Sequence, residues 1–274
     1  MTIDLRFAGA ALALSVAAAC QQEAPPAAPE TPAPETPAPQ PEAPEAPAAD
    51  PNAHIEAALG DPARPEDQRA ADVRRKPGEM LAFAEIEPGD VVGDFVPGGG
   101  YFTRIFSKAV GPDGKVYAFT PDPESGQPQL EDITGDADNY ANVEIVSLAA
   151  GAPITSPEPL DVIWTAQNYH DLKNLPPPTT TALINGMILA MVKPGGLYII
   201  VDHSAADDAP DEVTETLHRI REAQVRAEVE AAGFVFVESS DVLSNPDDPL
   251  TNNVFEDEIR GNTDQFVLKF RKPE

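Results

Sequence analysis

Residues 90–119 carry the pattern that most restricts how this chain can fold: an apolar run, a glycine-rich turn, a periodic helix and a second apolar run. The first run, at 90–96, reads DVVGDFV and is followed by PGGG at 97–100. Apolar residues then recur at helical spacing across 101–110. A second β-rich run follows at 115–119. The pattern predicts two parallel strands joined by a right-handed helical crossover.

Strand-like and helix-like segments continue to alternate through the rest of the chain. The further predicted strands are 143–148, 160–165, 196–201, 234–238 and 265–271. The further predicted helices are 54–59, 65–84, 179–191 and 211–232, and the polar stretch 243–262 is expected to be loop. Alternation of this kind places the chain in the α/β class, as a mostly parallel sheet with helices on both faces.

The beginning of the chain reads as an export signal. Residues 1–19 are predicted to be a signal peptide, with Arg6 as the positive region and a short apolar stretch after it. Cys20 directly follows three alanines, which is typical of a bacterial lipoprotein whose mature chain begins with an acylated cysteine. The alternative is an ordinary signal peptide with a bystander cysteine. Gln21 differs from the aspartate of inner-membrane retention, so a periplasm-facing lipoprotein of the outer membrane is favoured over one of the inner membrane.

Residues 20–53, after the predicted signal, consist almost entirely of Pro, Ala, Glu, Thr and Gln. Such a segment cannot bury enough apolar surface to offset its chain entropy. Prolines keep it extended, and its glutamates repel one another. We therefore expect a disordered stalk that joins the lipid on Cys20 to one folded domain at 54–274.

Charge and cysteine content exclude two classes of protein. The chain of 274 residues has 46 acidic and 18 basic side chains, a formal net charge of −28, so no nucleic-acid partner is expected. One cysteine cannot form an intrachain disulfide. The densest basic cluster, at 69–76, is interpreted mainly as a solvated face. The expected partners are a small-molecule substrate and, through Cys20 alone, a membrane, and the domain is expected to be a monomer.

The glycine turn at 97–100 is a candidate binding site. Glycines let the backbone approach a ligand, and the helix behind them points its first N–H groups at the same place. A turn at the carboxyl end of a central strand is also the usual ligand crevice of an open α/β sheet.

Eight short motifs, spread over the predicted domain, resemble a known family. They are RKPGEML at 75–81, PGGGYFTRIF at 97–106, QNYHDL at 167–172, KPGG at 193–196, DHSA at 202–205, LHRI at 217–220, AAGF at 231–234 and NPDDP at 245–249. Together they resemble class I S-adenosylmethionine-dependent methyltransferases, and more closely a bacterial group of methyltransferase-like proteins that are often exported. The resemblance implies a Rossmann-like, seven-stranded, mostly parallel sheet of order 3-2-1-4-5-7-6. It also implies S-adenosylmethionine as the cofactor and methyl transfer to a small-molecule acceptor.

The same resemblance implies which residues bind the cofactor. They are Asp94, Pro97, Gly98, Gly99, Gly100, Tyr101, Thr120 and Asp122. Three positions depart from the family pattern: Val96 replaces a loop glycine, Thr120 replaces the acid that holds the ribose, and 147–150 lacks the acid or amide that contacts adenine. An unpaired ribose or adenine group costs about 1–3 kcal/mol, so these departures are expected to weaken cofactor binding.

Polar residues follow the predicted fourth and fifth strands, whose ends should open on the same crevice as the glycine turn. His170, Asp171 and His203 are the candidate catalytic residues, since methyl transfer often needs a base to take the acceptor's proton. The candidate substrate contacts are Tyr169, Asp202 and His218, with His218 on the predicted helix 211–232.

Other interpretations of these residues stay open. Two or three of the histidines with Asp171 or Asp202 could hold zinc or iron, although we assign no metal ligand here because no closely spaced histidine pair is present. The histidines could also be hydrogen-bonded structural residues. For the whole chain, the alternative is an exported protein of methyltransferase fold that has lost cofactor binding and acts as a metal-dependent enzyme or as an envelope binding module.

Overall fold

The structure is a computed structural model that describes residues 50–122, 129–149 and 151–274. The predicted signal peptide, Cys20 and the predicted stalk up to residue 49 lie outside the described residues. Within the described ranges, no helix is both long enough and apolar enough to cross a membrane.

Seven strands form one sheet of order β3-β2-β1-β4-β5-β7-β6. The strands are β1 Val91–Phe95, β2 Lys115–Pro121, β3 Val143–Leu148, β4 Leu160–Ala166, β5 Val192–His203, β6 Val235–Ser240 and β7 Gln265–Arg271. The pairings among β1 to β5 are parallel, while β7 pairs antiparallel with both β5 and β6. This confirms the predicted fold class and strand order.

The described helices cover both faces of the sheet. They are α1 Ala53–Leu59, α2 Glu66–Ala70, α3 Asp72–Arg75, α4 Pro77–Phe83, α5 Tyr101–Val110, α6 Glu131–Thr134, α7 Ala137–Tyr140, α8 Thr181–Met191, α9 Val213–Thr216 and α10 Glu222–Ala231. The β1–α5–β2 crossover occurs where the glycine turn predicts it. The sequence analysis missed α6, α7 and a 3-10 helix at His170–Asn174 that follows β4.

Side chains along β5 alternate between two apolar cores, as the period of a strand requires. Leu197, Ile199 and Val201 pack with α1, α4 and α5 on one face. Tyr198 and Ile200 pack with α8 and α10 on the other face. Burial on both faces explains why β5 reads as a continuous apolar run rather than an alternating one.

The predicted long helix at 211–232 is wrong, because the chain forms α9 and α10 with a non-helical segment at 217–221 between them. His218 in this segment has a φ of 56°, which lies outside the right-handed helical region. Ile220 forms a parallel bridge with Ser204, just beyond β5. The segment therefore runs along the end of the sheet, and the prediction that His218 lies on a helix is also wrong.

A buried charge pair gives the physical reason for this break. The Arg219 guanidinium, fully buried, donates to Asp248 at 2.9 and 3.1 Å and to the Ser204 carbonyl at 2.9 Å. Removing one partner of such a pair would leave an uncompensated buried charge. Tertiary pairing of Arg219 thus overrides the helical preference of the surrounding sequence.

The motif KPGG at 193–196 also differs from expectation. The predicted strand starts at 196, whereas β5 starts at Val192 and therefore contains the whole motif. The pairing register between β4 and β5 shifts here, between Leu160 and Val162. Gly195, with a φ of 76°, belongs to this irregularity.

Candidate active site

The candidate site lies at the carboxyl ends of β1, β4 and β5, which are neighbours in the sheet. From β1 the chain adds β2 and β3 on one side and then β4 and β5 on the other, so the strand order reverses between β1 and β4. Open α/β sheets bind ligands at such a switch point. Asn168, which follows β4, joins the strand ends directly, because its Nδ2 donates to the Val96 carbonyl at 3.0 Å.

The glycine loop, residues 97–100, leaves open space in front of its backbone. A Cβ added at Gly98 or Gly99 would meet no atom within 4 Å. The amides of these two glycines donate to no acceptor in the described part of the chain. Gly98 has a φ of 57°, so successive N–H groups turn toward one concave surface. Gly100 is required for a different reason, since a Cβ there would lie 2.4 Å from Ile133 Cδ1.

Val96 adopts a backbone conformation that favours glycine. Its φ of 56° lies in the left-handed region, which a residue with a branched Cβ rarely adopts. Its amide donates to the Phe119 carbonyl at 3.0 Å, which helps to fix this peptide. Holding a valine in this conformation costs about 1–3 kcal/mol.

The carbonyls of the loop are held from outside. Gln68 Nε2, on α2, donates to the Gly99 carbonyl at 3.2 Å, and Arg104 Nη1, on α5, donates to the same oxygen at 2.9 Å. Arg104 also pairs with Asp132. The loop is therefore held through the carbonyl oxygen of Gly99, while the N–H groups of Gly98 and Gly99 remain available to a ligand.

Asp94, near the end of β1, is a buried carboxyl behind the glycine loop. Its Oδ2 accepts a hydrogen bond from Thr103 Oγ1 at 2.7 Å. Burial raises the pKa of Asp94 to about 7, although the Thr103 hydroxyl and the charge of Arg75 act in the opposite direction. Asp94 therefore titrates near neutral pH.

The other predicted cofactor residues are placed as follows. Pro97 opens the glycine loop, and its carbonyl accepts from the Gly100 amide at 3.1 Å. The Tyr101 hydroxyl donates to Asp72 Oδ1 at 2.6 Å, so it is engaged within the protein. Thr120 is fully buried near the end of β2, and its hydroxyl has no partner among the described residues. Asp122 directly follows β2 and is the last described residue before the gap at 123–128.

His170 and Asp202 form a buried hydrogen-bonded pair. His170 Nδ1 lies 2.8 Å from Asp202 Oδ1, and the His170 amide donates to Asp202 Oδ2 at 2.8 Å. The His203 amide donates to the same carboxylate at 2.7 Å. Burial alone would lower the pKa of His170, but the adjacent Asp202 charge outweighs it and raises that pKa. In the neutral ring, the Asp202 carboxylate favours the proton on Nδ1, which leaves the lone pair on Nε2.

Asp171 and His218 lie on the Nε2 side of His170. The distance from His170 Nε2 to Asp171 Oδ1 is 3.4 Å, and His218 Nδ1 lies 3.8 Å from the same oxygen. One ligand atom from each of the three residues falls within 4.8 Å of the others. The structure thus joins three predicted site residues into one polar cluster, which we call the histidine cluster: His170, Asp171 and His218.

His203 faces a different space from Asp202, because successive strand residues point to opposite faces. It lines a cavity of about 290 Å³ beside Phe102 and Val201, and neither His170 nor the loop glycines line that cavity. The His170 and His203 rings are nevertheless only 6.1 Å apart at the end of the sheet. Burial lowers the pKa of His203 to about 4, and its Nδ1 lies 2.8 Å from the Thr263 hydroxyl.

Tyr169 and Asp202 are buried rather than open to a substrate. The Tyr169 ring is fully buried in the core beside α8 and α10, and its hydroxyl contacts Asn185 at 2.8 Å and Glu228 at 3.2 Å. Asp202 is also fully buried, so it can influence a substrate only indirectly, by its hydrogen bond to His170. The structure does not place these two predicted substrate contacts on the surface of the crevice.

Sequence reasoning missed the residues that border the cavity from outside the sheet. Arg75 was expected on a solvated face, but its guanidinium lies 4.2 Å from the centre of the Tyr101 ring and 4.9 Å from that of Phe102. In the sequence, the motif RKPGEML at 75–81 is not adjacent to a predicted strand. Nothing in the sequence therefore indicates that Arg75 lies near the end of the sheet. Only the packing of Arg75, at the end of α3, against α5 brings it to the cavity at the carboxyl ends of the central strands.

Comparisons by sequence assign no relative to this chain. No protein-family model matches it. No curated protein matches it either.

Comparisons by structure identify the fold. A S-adenosylmethionine-dependent methyltransferase from Aquifex aeolicus is 21% identical, with a TM-score of 0.52 over 80% of this chain and 97% of that one. A sarcosine dimethylglycine methyltransferase from Galdieria sulphuraria, named as putative, is 12% identical, with a TM-score of 0.53 over 76% and 88%. The cyclase SpnF is 17% identical, with a TM-score of 0.52 over 75% and 80%. The chain therefore has the Rossmann-like fold of class I S-adenosylmethionine-dependent methyltransferases.

Proposed function

We propose that this chain transfers a methyl group from S-adenosylmethionine to a small-molecule acceptor. The observation that carries this proposal is the unpaired, open backbone of Gly98 and Gly99, set at the switch point of the sheet beside the His170–Asp202 pair. Fold alone is not sufficient support, because one structural neighbour is named as a cyclase.

The glycine loop fits the methionine part of this cofactor. The amides of Gly98 and Gly99 supply donors for its carboxylate, and Asp94 lies behind them as an acidic group. The ribose side fits less well, since the Thr120 hydroxyl is buried and no acid ends β2. We therefore expect S-adenosylmethionine to bind through the loop and more weakly than in enzymes that hold the ribose with a carboxylate. When bound, it supplies an electrophilic methyl group on a sulfonium.

His170 is the proposed general base. Asp202 fixes its ring through Nδ1, which leaves Nε2 available for a proton from the acceptor. The cofactor would supply the methyl group and keep the electron pair of its carbon–sulfur bond, and His170 would take the proton of the acceptor. Asp171 and His203 are the proposed neighbours of the acceptor on either side of that base.

Calorimetry of the full chain with S-adenosylmethionine and S-adenosylhomocysteine tests the proposal. Gly98→Ala adds a Cβ to the cradle, whereas Gly111→Ala adds one in open space beyond α5, at a glycine that also has positive φ. Gly111→Ala is a demanding control for strain, because Gly111 has a φ of 68° and a ψ of −170°, a region that essentially only glycine adopts. We expect binding to be lost only in Gly98→Ala. Absence of heat with the unmodified chain at millimolar ligand, or equal binding by both variants, would refute the proposal.

The histidine cluster favours a second candidate function, a metal-dependent reaction. His170, Asp171 and His218 offer two imidazoles and a carboxylate within 4.8 Å of one another, a donor set that suits zinc or iron. Asp202 would orient His170 from behind, as carboxylates commonly do for histidine ligands. Elemental analysis of the purified chain tests this candidate. A stoichiometric metal that is lost in His218→Ala would support it, and a metal-free chain that does not take up added Zn²⁺ would exclude it.

We also propose that the chain is exported and anchored by a lipid on Cys20, with its domain facing the periplasm as a monomer on a stalk. Support comes from the apolar segment before Cys20 and the Pro/Ala/Glu-rich segment after it. Metabolic labelling with radioactive palmitate should mark the wild-type chain and leave Cys20→Ala unlabelled. Equal labelling of both would refute the anchor, and light scattering of the purified chain checks the monomer.

A further inference from the structure

A cavity of about 290 Å³ lies beside the proposed catalytic residues and is not explained by cofactor binding. Its floor is the end of the sheet, and its walls come from α3, from the start of α5 and from the loop before β7. The lining residues that matter here are Arg74, Arg75, Phe102, His203, Phe255 and Arg260. Since Phe102 is in the first turn of α5, the cavity adjoins the helix that follows the glycine loop.

The charge of this cavity opposes the charge of the chain. Acidic side chains outnumber basic ones by 46 to 18 in the sequence, yet the lining contains three arginines and no Asp or Glu. Other buried arginines of the domain are neutralised, as Arg64 is by Asp72 and Arg219 by Asp248. The cavity therefore concentrates positive charge that the described residues lining it do not balance.

Arg75 is the clearest unsatisfied cation. It forms neither a hydrogen bond nor an ion pair with any residue that the structure describes, and its guanidinium lies against the faces of Tyr101 and Phe102. The carboxyl groups of Asp94 and Asp72 act on it only through longer-range electrostatics. Burial lowers the pKa of Arg75, because removing the guanidinium from water disfavours its charge. Five N–H groups in a planar fork remain available, which is the geometry that carboxylate and phosphate accept.

Arg74 and Arg260 place two further guanidinium groups around the same space. Arg74 Nη1 has one long hydrogen bond, 3.4 Å, to the Gly261 carbonyl. The Arg260 guanidinium lies 6.0 Å from the centre of the Phe255 ring, without an ion pair in the described part of the chain. Both remain free to turn toward a bound anion.

The remaining wall of the cavity is apolar. Phe102 contributes from α5 and Val201 from β5, while Leu243, Val254 and Phe255 contribute from the segment between β6 and β7. Phe255 also contacts the His218 ring at 4.9 Å between centres, so the cavity borders the histidine cluster. A ligand that fills this space has an apolar body and presents one side to the arginines.

We propose that this cavity binds a small organic anion, a carboxylate or phosphate on an apolar body, and that this anion is the methyl acceptor. The binding part of the proposal stands on the cavity alone, and the acceptor part rests on the proposed function. The arginines hold the anionic group, and the apolar wall directs the rest of the molecule toward His203 and the histidine cluster.

Calorimetry of the full chain without S-adenosylmethionine tests the binding. The probes are benzoate and phenyl phosphate, with benzamide as the uncharged match for benzoate. We expect both anions to bind about tenfold or more tightly than benzamide, since a charge-assisted hydrogen bond contributes more than a neutral one. Of the two anions, the tighter binder identifies the preferred group.

Three variants locate the anion. Arg75→Gln and Arg260→Gln should each weaken the binding of benzoate about tenfold. Arg260 is exposed, so its replacement is expected to disturb the fold least. Arg226→Gln is the matched control, because Arg226 also lies over an aromatic ring, 3.8 Å from the centre of Phe236, but does not line the cavity. We expect its affinity for benzoate to match that of the unmodified chain.

Several results would overturn the proposal. They are equal affinity for benzoate and benzamide, no binding of either anion, or the same affinity in Arg260→Gln and Arg226→Gln. These titrations measure anion binding without S-adenosylmethionine, so their result does not depend on whether the chain binds that cofactor. Anion binding without any cofactor binding would refute methyl transfer and leave the anion site in place.

Discussion

Val96 holds a backbone conformation that favours glycine, with a φ of 56°. Val146, in β3, is partly buried against the same apolar core. Replacing either valine with glycine loses apolar contact, but only Val96→Gly also relieves backbone strain, which amounts to about 1–3 kcal/mol. Urea denaturation measures the free energy of unfolding of both variants. We expect the loss in Val96→Gly to be about 1–3 kcal/mol smaller than the loss in Val146→Gly. Equal losses would show that residue 96 is not strained.

Asp94 should make stability depend on pH in a predictable direction. Burial raises its pKa to about 7, above the value near 3.9 of an unfolded chain. Between these values the folded state retains a proton that the unfolded state has lost, so the contribution of Asp94 to stability falls as pH rises.

The matching variant is Asp94→Asn, which cannot titrate. We expect its free energy of unfolding, relative to wild type, to increase by roughly 2–3 kcal/mol between about pH 5 and about pH 7.5. Urea denaturation at both pH values measures this difference. A difference that stays constant with pH would contradict a carboxyl held neutral by burial.

At the scale of elements, the segment at 217–221 shows how one buried pair redirects a chain. Arg219 and Asp248 are both buried, and their pairing holds this segment against the end of β5. Arg219→Met leaves the Asp248 carboxylate buried without its partner. We expect it to lower the free energy of unfolding by about 3–5 kcal/mol. Arg226→Met, whose pair with Glu230 is exposed, should cost less than about 1 kcal/mol.

The double variant Arg219→Met, Asp248→Leu separates charge burial from packing. Removing both charges together should cost less than Arg219→Met alone, because no unpaired charge remains buried. Urea denaturation of the three variants measures the comparison. A double variant that is less stable than Arg219→Met would show that the pair acts mainly through its hydrogen bonds to backbone.

For the whole molecule, the net charge of −28 should oppose folding through self-repulsion. Salt screens this repulsion, with a Debye length of about 10 Å at 0.1 M. We expect the free energy of unfolding to rise when NaCl increases from about 0.02 M to about 0.5 M. Urea titrations at both concentrations test this. A fall in stability with salt would mean that the ion pairs of the 18 basic residues outweigh the repulsion.

Most of the fold could be predicted from local pattern. The glycine turn after DVVGDFV and the alternation of strand and helix gave the class, and the motif resemblance gave the strand order that the sheet shows. These signals are readable because a turn, a strand and a crossover helix each depend on neighbouring residues. The predicted helix at 211–232 was wrong because its break depends on Asp248, a residue far away in sequence.

The candidate site was predictable only in its chemistry. The sequence alone determined that histidines and carboxylates follow the fourth and fifth strands, since strand ends in a parallel sheet share an edge. Tertiary structure decided that Asp202 turns inward to His170, that His203 faces a separate cavity, and that Arg75 lies beside it. The physical reason is that side-chain direction at a strand end, and contacts between elements distant in sequence, are set by packing rather than by local periodicity.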